Sequence, residues 1–298
     1  MPVFDMGYRA YEGGTRSRLF RWWPIVWRCF RTSVRWPFIL ALVIGSIPLF
    51  MRMLQAYAIG LANDPAQQLT RFEARIAQAL SRAMPETFTF GDPLFSSLLA
   101  LEILPTVLVV WFVGAGQIAE DFRSGALQIY FAKPITQIDY ILGKLGAVMI
   151  AALCMTLLPG LLLFLTVVAF APDWEWLTGN PLLPLKILGF SALISLVLSS
   201  VVLAISSFAR SGRMAGLTFF GLYIFSAVLG HVLPAIFDSS AWNAVYLKGS
   251  LDGAGHSIFP GSPVPTVDPS TAWLVLTGIV IASLLTFIRK VEAVEVVS

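Results

Sequence analysis

Six long apolar stretches restrict the fold of this chain more than any other feature. A helix needs about 20 mainly apolar residues to cross the ~30 Å hydrocarbon core of a bilayer. Stretches of this kind lie at 37–61, 94–117, 142–170, 184–208, 214–236 and 271–289. Only 12% of the residues are charged, about half the share found in an average soluble domain. We therefore predict an all-α membrane protein, with six transmembrane helices in residues 37–298.

Lysine and arginine residues predict the side of the membrane on which each connecting segment lies, because cytoplasmic flanks retain an excess of them. If both termini are cytoplasmic, most of the 20 basic residues are on the cytoplasmic side. Three of the six exceptions, Arg71, Arg75 and Arg82, share one segment with Glu73. We predict that both termini are inside and that the protein lies in a cell membrane, with a bacterial inner membrane as the expected location.

Residues 1–36 are predicted to form a cytoplasmic N-terminus and an amphipathic elbow helix. At 100° per residue, the arginines of segment 15–35 occupy one arc, and Val26 and the tryptophans occupy the opposite arc. This pattern is typical of a helix in the membrane interface, whereas a short buried helix would bury several charges. The predicted membrane-interface residues are Arg18, Arg21, Trp22, Trp23, Trp27, Arg28 and Arg31.

Two segments on the predicted external side differ in character. Residues 65–84 follow a helix-start signal and show apolar residues at helical spacing, which predicts an external amphipathic helix on the membrane surface or against a partner. Residues 237–270 are rich in Gly, Pro, Ser and Asp, which predicts a loop with at most one short helix at 239–248. Neither segment is long enough for a substantial independent domain.

Few polar residues lie deep in the predicted spans. Glu102 is the one carboxylate there, and a charge in the membrane is costly unless it faces protein, water or a partner. It has two interpretations: a group on a substrate or proton path, or a protonated or hydrogen-bonded structural residue. The candidate substrate path consists of Glu102, Thr106, Ser195 and Ser199. The serines also suit ordinary helix packing, since small residues allow close approach of helices in lipid.

Several kinds of catalytic chemistry lack their signatures in this sequence. The two histidines, His231 and His256, form no HExxH motif or Cys/His cluster, so no metal site and no catalytic residues are predicted. The pair Gly143 and Lys144 lacks both the preceding glycine and the following Ser or Thr of a phosphate-binding loop. We expect the chain to bind no cofactor itself, so active transport would draw energy from an ion gradient or from another polypeptide.

The segment between the second and third spans, residues 118–141, is the most informative connection. It begins with the charged residues Glu120, Asp121 and Arg123, turns at Gly125, and continues in an apolar run that ends at 133–134. Apolar residues in a cytoplasmic loop indicate a docking surface. A helix packed on the membrane face is the alternative interpretation.

At these residues the chain resembles the permease subunits of ABC-2 type ATP-binding cassette transporters. That family has an acidic residue at the end of the second span, an SG turn, a short apolar helix, a KP stop, and a tyrosine followed by LGK at the third span. The matching positions here are Glu120, Ser124, Gly125, 127–131, Lys133, Pro134, Tyr140 and 142–144. Departures occur at Ala126, where threonine is common, and at 136–137, where Ser-Arg is frequent.

The resemblance implies an exporter permease that docks on a separate cytoplasmic ATPase, which would hold ATP and Mg. It also implies a second permease subunit, either a copy of this chain or a related chain. The interfacial pattern of segment 15–35 predicts contacts to membrane lipids, and a net charge of only +3 gives no evidence for a nucleic-acid partner. The ATPase-coupling residues that it implies are Glu120, Arg123, Gly125, Leu127, Ile129, Tyr130, Lys133 and Pro134. Two alternatives stay open: a non-transporting membrane anchor or force-transmitting partner of an ATPase, and a carrier driven by protons through Glu102.

Overall fold

A computed structural model describes residues 20–33, 36–63, 71–83, 85–127, 135–171 and 175–295. Within these ranges the regular structure is entirely helical. The α-helices are α1 (Trp23–Ser33), α2 (Trp36–Asn63), α3 (Arg71–Ala83), α4 (Asp92–Gly114), α5 (Gly116–Ser124), α6 (Gln137–Phe170), α7 (Glu175–Gly179), α8 (Leu183–Phe208), α9 (Gly212–Phe237), α10 (Leu247–Ile258) and α11 (Pro269–Glu295).

Six of these helices are long and apolar enough to cross a membrane: α2, α4 with its continuation α5, α6, α8, α9 and α11. Each contains one of the six stretches recognised in the sequence, so the predicted fold class is confirmed. Lipid hydrocarbon is as apolar as leucine, and packing therefore decides how such helices associate. The side of the membrane that each terminus occupies stays a prediction.

The third span begins earlier than predicted, at Gln137 rather than 142, and the predicted loop 118–141 is correspondingly shorter. The reason is a capping box at the start of α6. The Asp139 backbone N–H donates to Thr136 Oγ1 at 3.2 Å, and the Thr136 N–H donates to Asp139 Oδ2 at 3.0 Å. These reciprocal bonds satisfy backbone donors that the first helical turn leaves unpaired.

Helices α4 and α8 are the most enclosed spans, while α9 and α11 expose most of their surface. Glycines bring the central helices close together. A Cβ atom on Gly114 of α4 would lie 2.5 Å from Val202 Cγ1 of α8, and one on Gly160 of α6 would lie 2.6 Å from Ile187 Cγ2. Glycine is therefore required at these crossings by contact with the neighbouring helix, which is the usual way in which spans approach closely.

Helix α1 has three faces instead of the two predicted. Ile25, Val26 and Cys29 are buried against α6, where a Cβ on Gly143 would lie 2.8 Å from Ile25. Trp23 and Trp27 remain exposed. Val26 lies on the predicted apolar arc, and α6 covers that part of the arc. The location of α1 in the membrane interface stays a prediction, and Arg18 lies outside the described residues.

The segment predicted as the loop 237–270 contains more helix than expected. A 3-10 helix spans Ser240–Val245, and α10 follows with Leu251 and Ala254 fully buried. The glycines that suggested a loop permit close packing instead. A Cβ on Gly253 would lie 2.8 Å from the Val267 carbonyl oxygen, and one on Gly255 would lie 2.7 Å from the Phe190 ring.

The other predicted external helix, 65–84, corresponds to α3, although residues 64–70 lie outside the described part of the chain. The end of α2 is fixed to the segment after α3 by buried polar groups. Arg52 Nη1 donates to Thr87 Oγ1 at 3.2 Å, and Gln55 Nε2 donates to the Thr87 carbonyl oxygen at 2.9 Å. These bonds satisfy side chains that would be costly to bury alone.

Candidate coupling site and substrate path

Helix α5 continues from α4 after an irregularity at Ala115, and Ser206 of α8 stabilises this junction. The Ser206 hydroxyl donates to the Ala115 carbonyl oxygen at 2.7 Å. Ser206 Oγ in turn accepts hydrogen bonds from the backbone N–H groups of Ile118 at 3.2 Å and Ala119 at 3.1 Å. A hydroxyl inserted into the ladder of helical hydrogen bonds is a recognised cause of a change in helix direction. The position of α5 is therefore fixed to the end of α8.

A buried ion pair joins α5 to α6. Lys144 Nζ lies 2.7 Å from Asp121 Oδ2, with the two side chains only 4% and 17% exposed. The Tyr140 hydroxyl donates to the same carboxylate at 2.9 Å. Breaking such a pair leaves a buried charge uncompensated, at a cost of about 3–5 kcal/mol. The contact therefore holds α5 firmly against the start of α6.

Gln117 extends this polar cluster to α1. Its backbone carbonyl and its side-chain Oε1 accept from Lys144 Nζ at 2.9 and 3.2 Å. Its Nε2 donates to Ser33 Oγ, at the end of α1, at 3.2 Å. Together with the Ser206 contacts, this places side chains of α1, α5, α6 and α8 in one group. We call Ser33, Gln117, Asp121, Tyr140, Lys144 and Ser206 the coupling cluster.

The sequence pattern identified Glu120 as the acidic residue of the family motif, but the residue that pairs with Lys144 is Asp121. Glu120 is exposed and lies beside the start of α9, where a Cβ on Gly212 would be 3.2 Å from Glu120 Oε1 and 2.9 Å from Gly116 Cα. Asp121 adjoins Glu120 in the sequence, so the sequence pattern alone could not show which carboxylate pairs with Lys144. The rotation of α5 about its axis directs Asp121 toward Lys144.

Gly125 ends α5 in a left-handed conformation, with φ of 67°. Its backbone N–H donates to the Asp121 and Phe122 carbonyl oxygens, which closes the helix. A Cβ on this residue would meet nothing within 4 Å. Glycine is therefore favoured here by backbone conformation, as is common just after a helix, and the predicted turn is present.

The remaining predicted coupling residues differ in accessibility. Arg123 is exposed on α5, whereas Leu127 is only 2% exposed and belongs to the main hydrophobic core. The Leu127 side chain is therefore not available as a docking contact in this conformation, because it packs into that core. Ile129, Tyr130, Lys133 and Pro134 lie outside the described residues.

The four candidate substrate-path residues are all fully buried. The Thr106 hydroxyl donates to the Glu102 backbone carbonyl at 2.6 Å, within its own helix. Among the described residues, no hydrogen-bond partner is found for either Glu102 carboxylate oxygen or for the Ser195 and Ser199 hydroxyls. Glu102 Oε2 lies near α2, 3.0 Å from a Cβ placed on Gly45. No hydrogen bond within the described chain therefore joins Glu102 to the two serines.

These features define a multi-pass helical membrane protein in which a short helix between two spans is bound to the bundle by buried polar contacts. A family model described as ABC-2 family transporter protein matches residues 23–245. The match covers most of the chain, from the start of α1 to the 3-10 helix before α10, and the chain belongs to this family. The protein is thus a membrane subunit of the ABC transporter class. No curated protein matched the chain.

Proposed function

We propose that the chain is the permease subunit of an exporter that is driven by a separate cytoplasmic ATPase. The observation that carries this proposal is the buried pair between Lys144 and Asp121. It lies within the segment that, by family resemblance, contacts the ATPase. The direction of transport rests on that resemblance alone. ATP and Mg would be bound by the ATPase, and this chain would contribute no cofactor site.

The coupling cluster supports a mechanical role for α5. A force applied to the exposed side of α5, near Arg123, would act through Asp121 on Lys144 of α6. The same movement would act through the Ala115 junction on Ser206 of α8. Packed helices joined by hydrogen bonds and ion pairs move as rigid units. Closure of the ATPase would therefore rock several spans together and change access to a path between two permease subunits.

A single chain with six spans provides half of such a pathway, so we propose a homodimer or a pair with a related permease, together with two ATPase subunits. With both termini in the cytoplasm, α5 and the segment after it would face the ATPase. The exposed arginines of α1 would lie at anionic headgroups on the same side, with Trp23 and Trp27 directed into the lipid.

The first test is purification of the tagged full-length chain from native membranes in mild detergent. We expect a nucleotide-binding ATPase to co-purify with wild type and to be lost from Arg123→Glu. Arg123 is exposed and makes no ion pair within the described residues, so this substitution leaves the fold intact. Arg82→Glu, on the exposed side of α3, is the matched control and should retain the ATPase.

Two results would contradict the proposal. Absence of any ATPase from the wild-type preparation would remove the basis for an ABC exporter. Equal recovery of the ATPase with wild type and Arg123→Glu would show that the α5 surface is not the contact. Leu127→Asp is a poorer test, because a charge at this buried position would also destabilise the core.

The unpaired polar atoms of Glu102, Ser195 and Ser199 favour transport over a pure anchor, since buried polar groups normally have hydrogen-bond partners. A substrate with donor groups would satisfy the Glu102 carboxylate. In a reconstituted complex with its ATPase, we expect Glu102→Gln to preserve basal ATP hydrolysis and to abolish its stimulation by substrate. A screen for stimulation uses amphipathic compounds first, since the spans are mainly apolar.

The two alternatives give different results in the same vesicles. A force-transmitting anchor would hydrolyse ATP without moving any solute, and Glu102→Gln would have no effect on it. A proton-driven carrier would accumulate solute under an imposed gradient in the absence of any ATPase, and Glu102→Gln would abolish that uptake. The exporter requires ATP and its partner for all movement of solute.

A further inference from the structure

A cavity of about 410 Å³ lies between the end of α8 and the last turns of α11. Its lining combines apolar and basic side chains: Phe208, Ala282, Leu285, Thr286, Arg289 and Lys290. Phe208 and Leu285 are largely exposed. The Thr286 hydroxyl donates within α11, to the Ala282 carbonyl oxygen, and the charged groups of the described lining are the two cations.

Arg289 and Lys290 form no ion pair with any side chain in the part of the chain that the structure describes. Within the described residues, neither takes part in any of the ion pairs, which join Lys144, Lys186 and Lys248 to aspartates. The Lys290 ammonium lies 5.6 Å from the centre of the Phe208 ring. This cation–π contact holds the ammonium at the edge of the cavity. Two positive charges thus lie beside an apolar wall, and no ion pair with a described side chain involves either of them.

The position of the cavity along the helices matches a membrane surface. The candidate span in α11 ends at Glu292 and that in α8 at Phe208. Both cations therefore lie at the end of a span, where the headgroup layer of a bilayer is expected. Below them, Leu285 and Ile281 are exposed on α11, a span that the rest of the chain covers little. Arg210 and Arg213, both exposed, follow directly after α8 and add positive charge to this end of the bundle.

We propose that this cavity is a binding site for an anionic phospholipid. The lipid phosphate contacts Arg289 and Lys290, and an acyl chain follows the exposed apolar residues of α11 toward the middle of the bilayer. Two adjacent basic residues above an apolar wall complement a headgroup with one negative charge and an attached hydrocarbon chain. The site does not involve the coupling cluster or Glu102, so it is independent of the proposed ATPase coupling.

The test is native mass spectrometry of the full-length chain after delipidation in detergent. The probes are phosphatidylglycerol and phosphatidylcholine with identical acyl chains, and inorganic phosphate. We expect wild type to retain one phosphatidylglycerol per chain and to bind phosphatidylcholine weakly. Arg289→Ala/Lys290→Ala should weaken retention about thirtyfold, the effect of removing two basic residues near an anionic headgroup. Leu285→Trp, which keeps both charges but fills the cavity, should also reduce it.

The control is Arg28→Ala/Arg31→Ala, which removes the same charge from the exposed surface of α1. It should keep the retained phosphatidylglycerol. Equal loss in this control and in the α11 variant would indicate general surface attraction and overturn the proposal. Equal retention of the two lipids would also overturn it, as would displacement of phosphatidylglycerol by millimolar inorganic phosphate, which would indicate a site for free phosphate.

Discussion

Lys144 of α6 and Asp121 of α5 form an ion pair with an Nζ–Oδ2 distance of 2.7 Å, almost entirely shielded from solvent. The pair joins the glycine-lysine dipeptide at the third span to the acidic segment that ends the second. The Lys144 ammonium also donates to the Gln117 carbonyl oxygen, and the Asp121 carboxylate accepts from the Tyr140 hydroxyl. The residues of the sequence motif therefore form one hydrogen-bonded cluster. Its role is to hold α5 in place.

Replacing Lys144 with Met should lower the stability of the protein by about 3–5 kcal/mol, because the Asp121 carboxylate stays buried without its cation. Lys248→Met is the control. Its pair with Asp252 spans one helical turn, and both side chains are more exposed than those of Lys144 and Asp121, so the loss should be smaller than for Lys144→Met. Denaturation in detergent measures both effects.

A double-mutant cycle with Asp121→Asn separates the ion pair from general packing effects. The double variant Lys144→Met/Asp121→Asn should be more stable than Lys144→Met alone, because its buried carboxylate has been removed. It should nevertheless fail to couple ATP hydrolysis to transport. Full coupling in the double variant would show that the pair is structural only.

Gly125→Ala should destabilise the end of α5 by about 1 kcal/mol, because alanine is unfavourable at a φ of 67°. No neighbouring atom would contact the added methyl group, so the whole effect comes from the backbone. Gly125→Asn should be tolerated better, since asparagine adopts this conformation more readily. Gly179→Ala is the control, as that position is also open but lacks a positive φ. The melting temperature and the amount of ATPase bound should both decrease for Gly125→Ala and should stay unchanged for Gly179→Ala.

Gly212→Ala should reduce the thermal stability of the bundle, at a cost of about 1–3 kcal/mol, because its Cβ would lie 2.9 Å from Gly116 Cα and the backbone must shift. Gly221→Ala lies in the same helix with open space around it, and should leave stability unchanged or raise it slightly through helix propensity. A comparable loss in both variants would mean that the close approach of α5 and α9 is not required.

The contributions of the Asp252 and Asp268 carboxyl groups to the stability of the protein should change with pH in opposite directions. Burial raises the pKa of the Asp252 carboxyl despite the nearby Lys248 ammonium. Stability from this group therefore falls as the pH rises above about 4, the value of an unfolded aspartate, through the raised folded pKa. Asp252→Asn should melt at a higher temperature than wild type at pH 7, and the difference should vanish below about pH 4. A lower melting temperature at pH 7 would show that the Lys248 contact dominates.

The Asp268 carboxylate accepts from Ser270 and from the backbone N–H of Thr271 at the start of α11, which lowers the pKa of Asp268. Its contribution is complete above about pH 4 and is lost as the pH falls through the lowered folded pKa. Asp268→Ala should therefore melt at a lower temperature at neutral pH, with a difference that shrinks on acidification. A difference that is constant with pH would indicate a packing effect instead.

Local features of the sequence determined the number of spans, the helical class and the turn at Gly125, because length, hydropathy and capping act over a few neighbouring residues. The same reasoning missed α10, because its glycines suggested a loop. In the structure these glycines allow close packing against residues such as Phe190. Sequence reasoning also placed the start of α6 too late, although the capping residues Thr136 and Asp139 are adjacent to that start.

The tertiary structure decided which residues of each helix meet. Asp121 rather than Glu120 pairs with Lys144, because contacts with Ser206 of α8 fix the rotation of α5. Leu127 is buried instead of exposed for docking to a partner. The cavity at Arg289 exists only because the ends of α8 and α11 lie side by side. Such contacts join residues far apart in the chain, and they depend on helix rotation and crossing, which a hydropathy pattern leaves free.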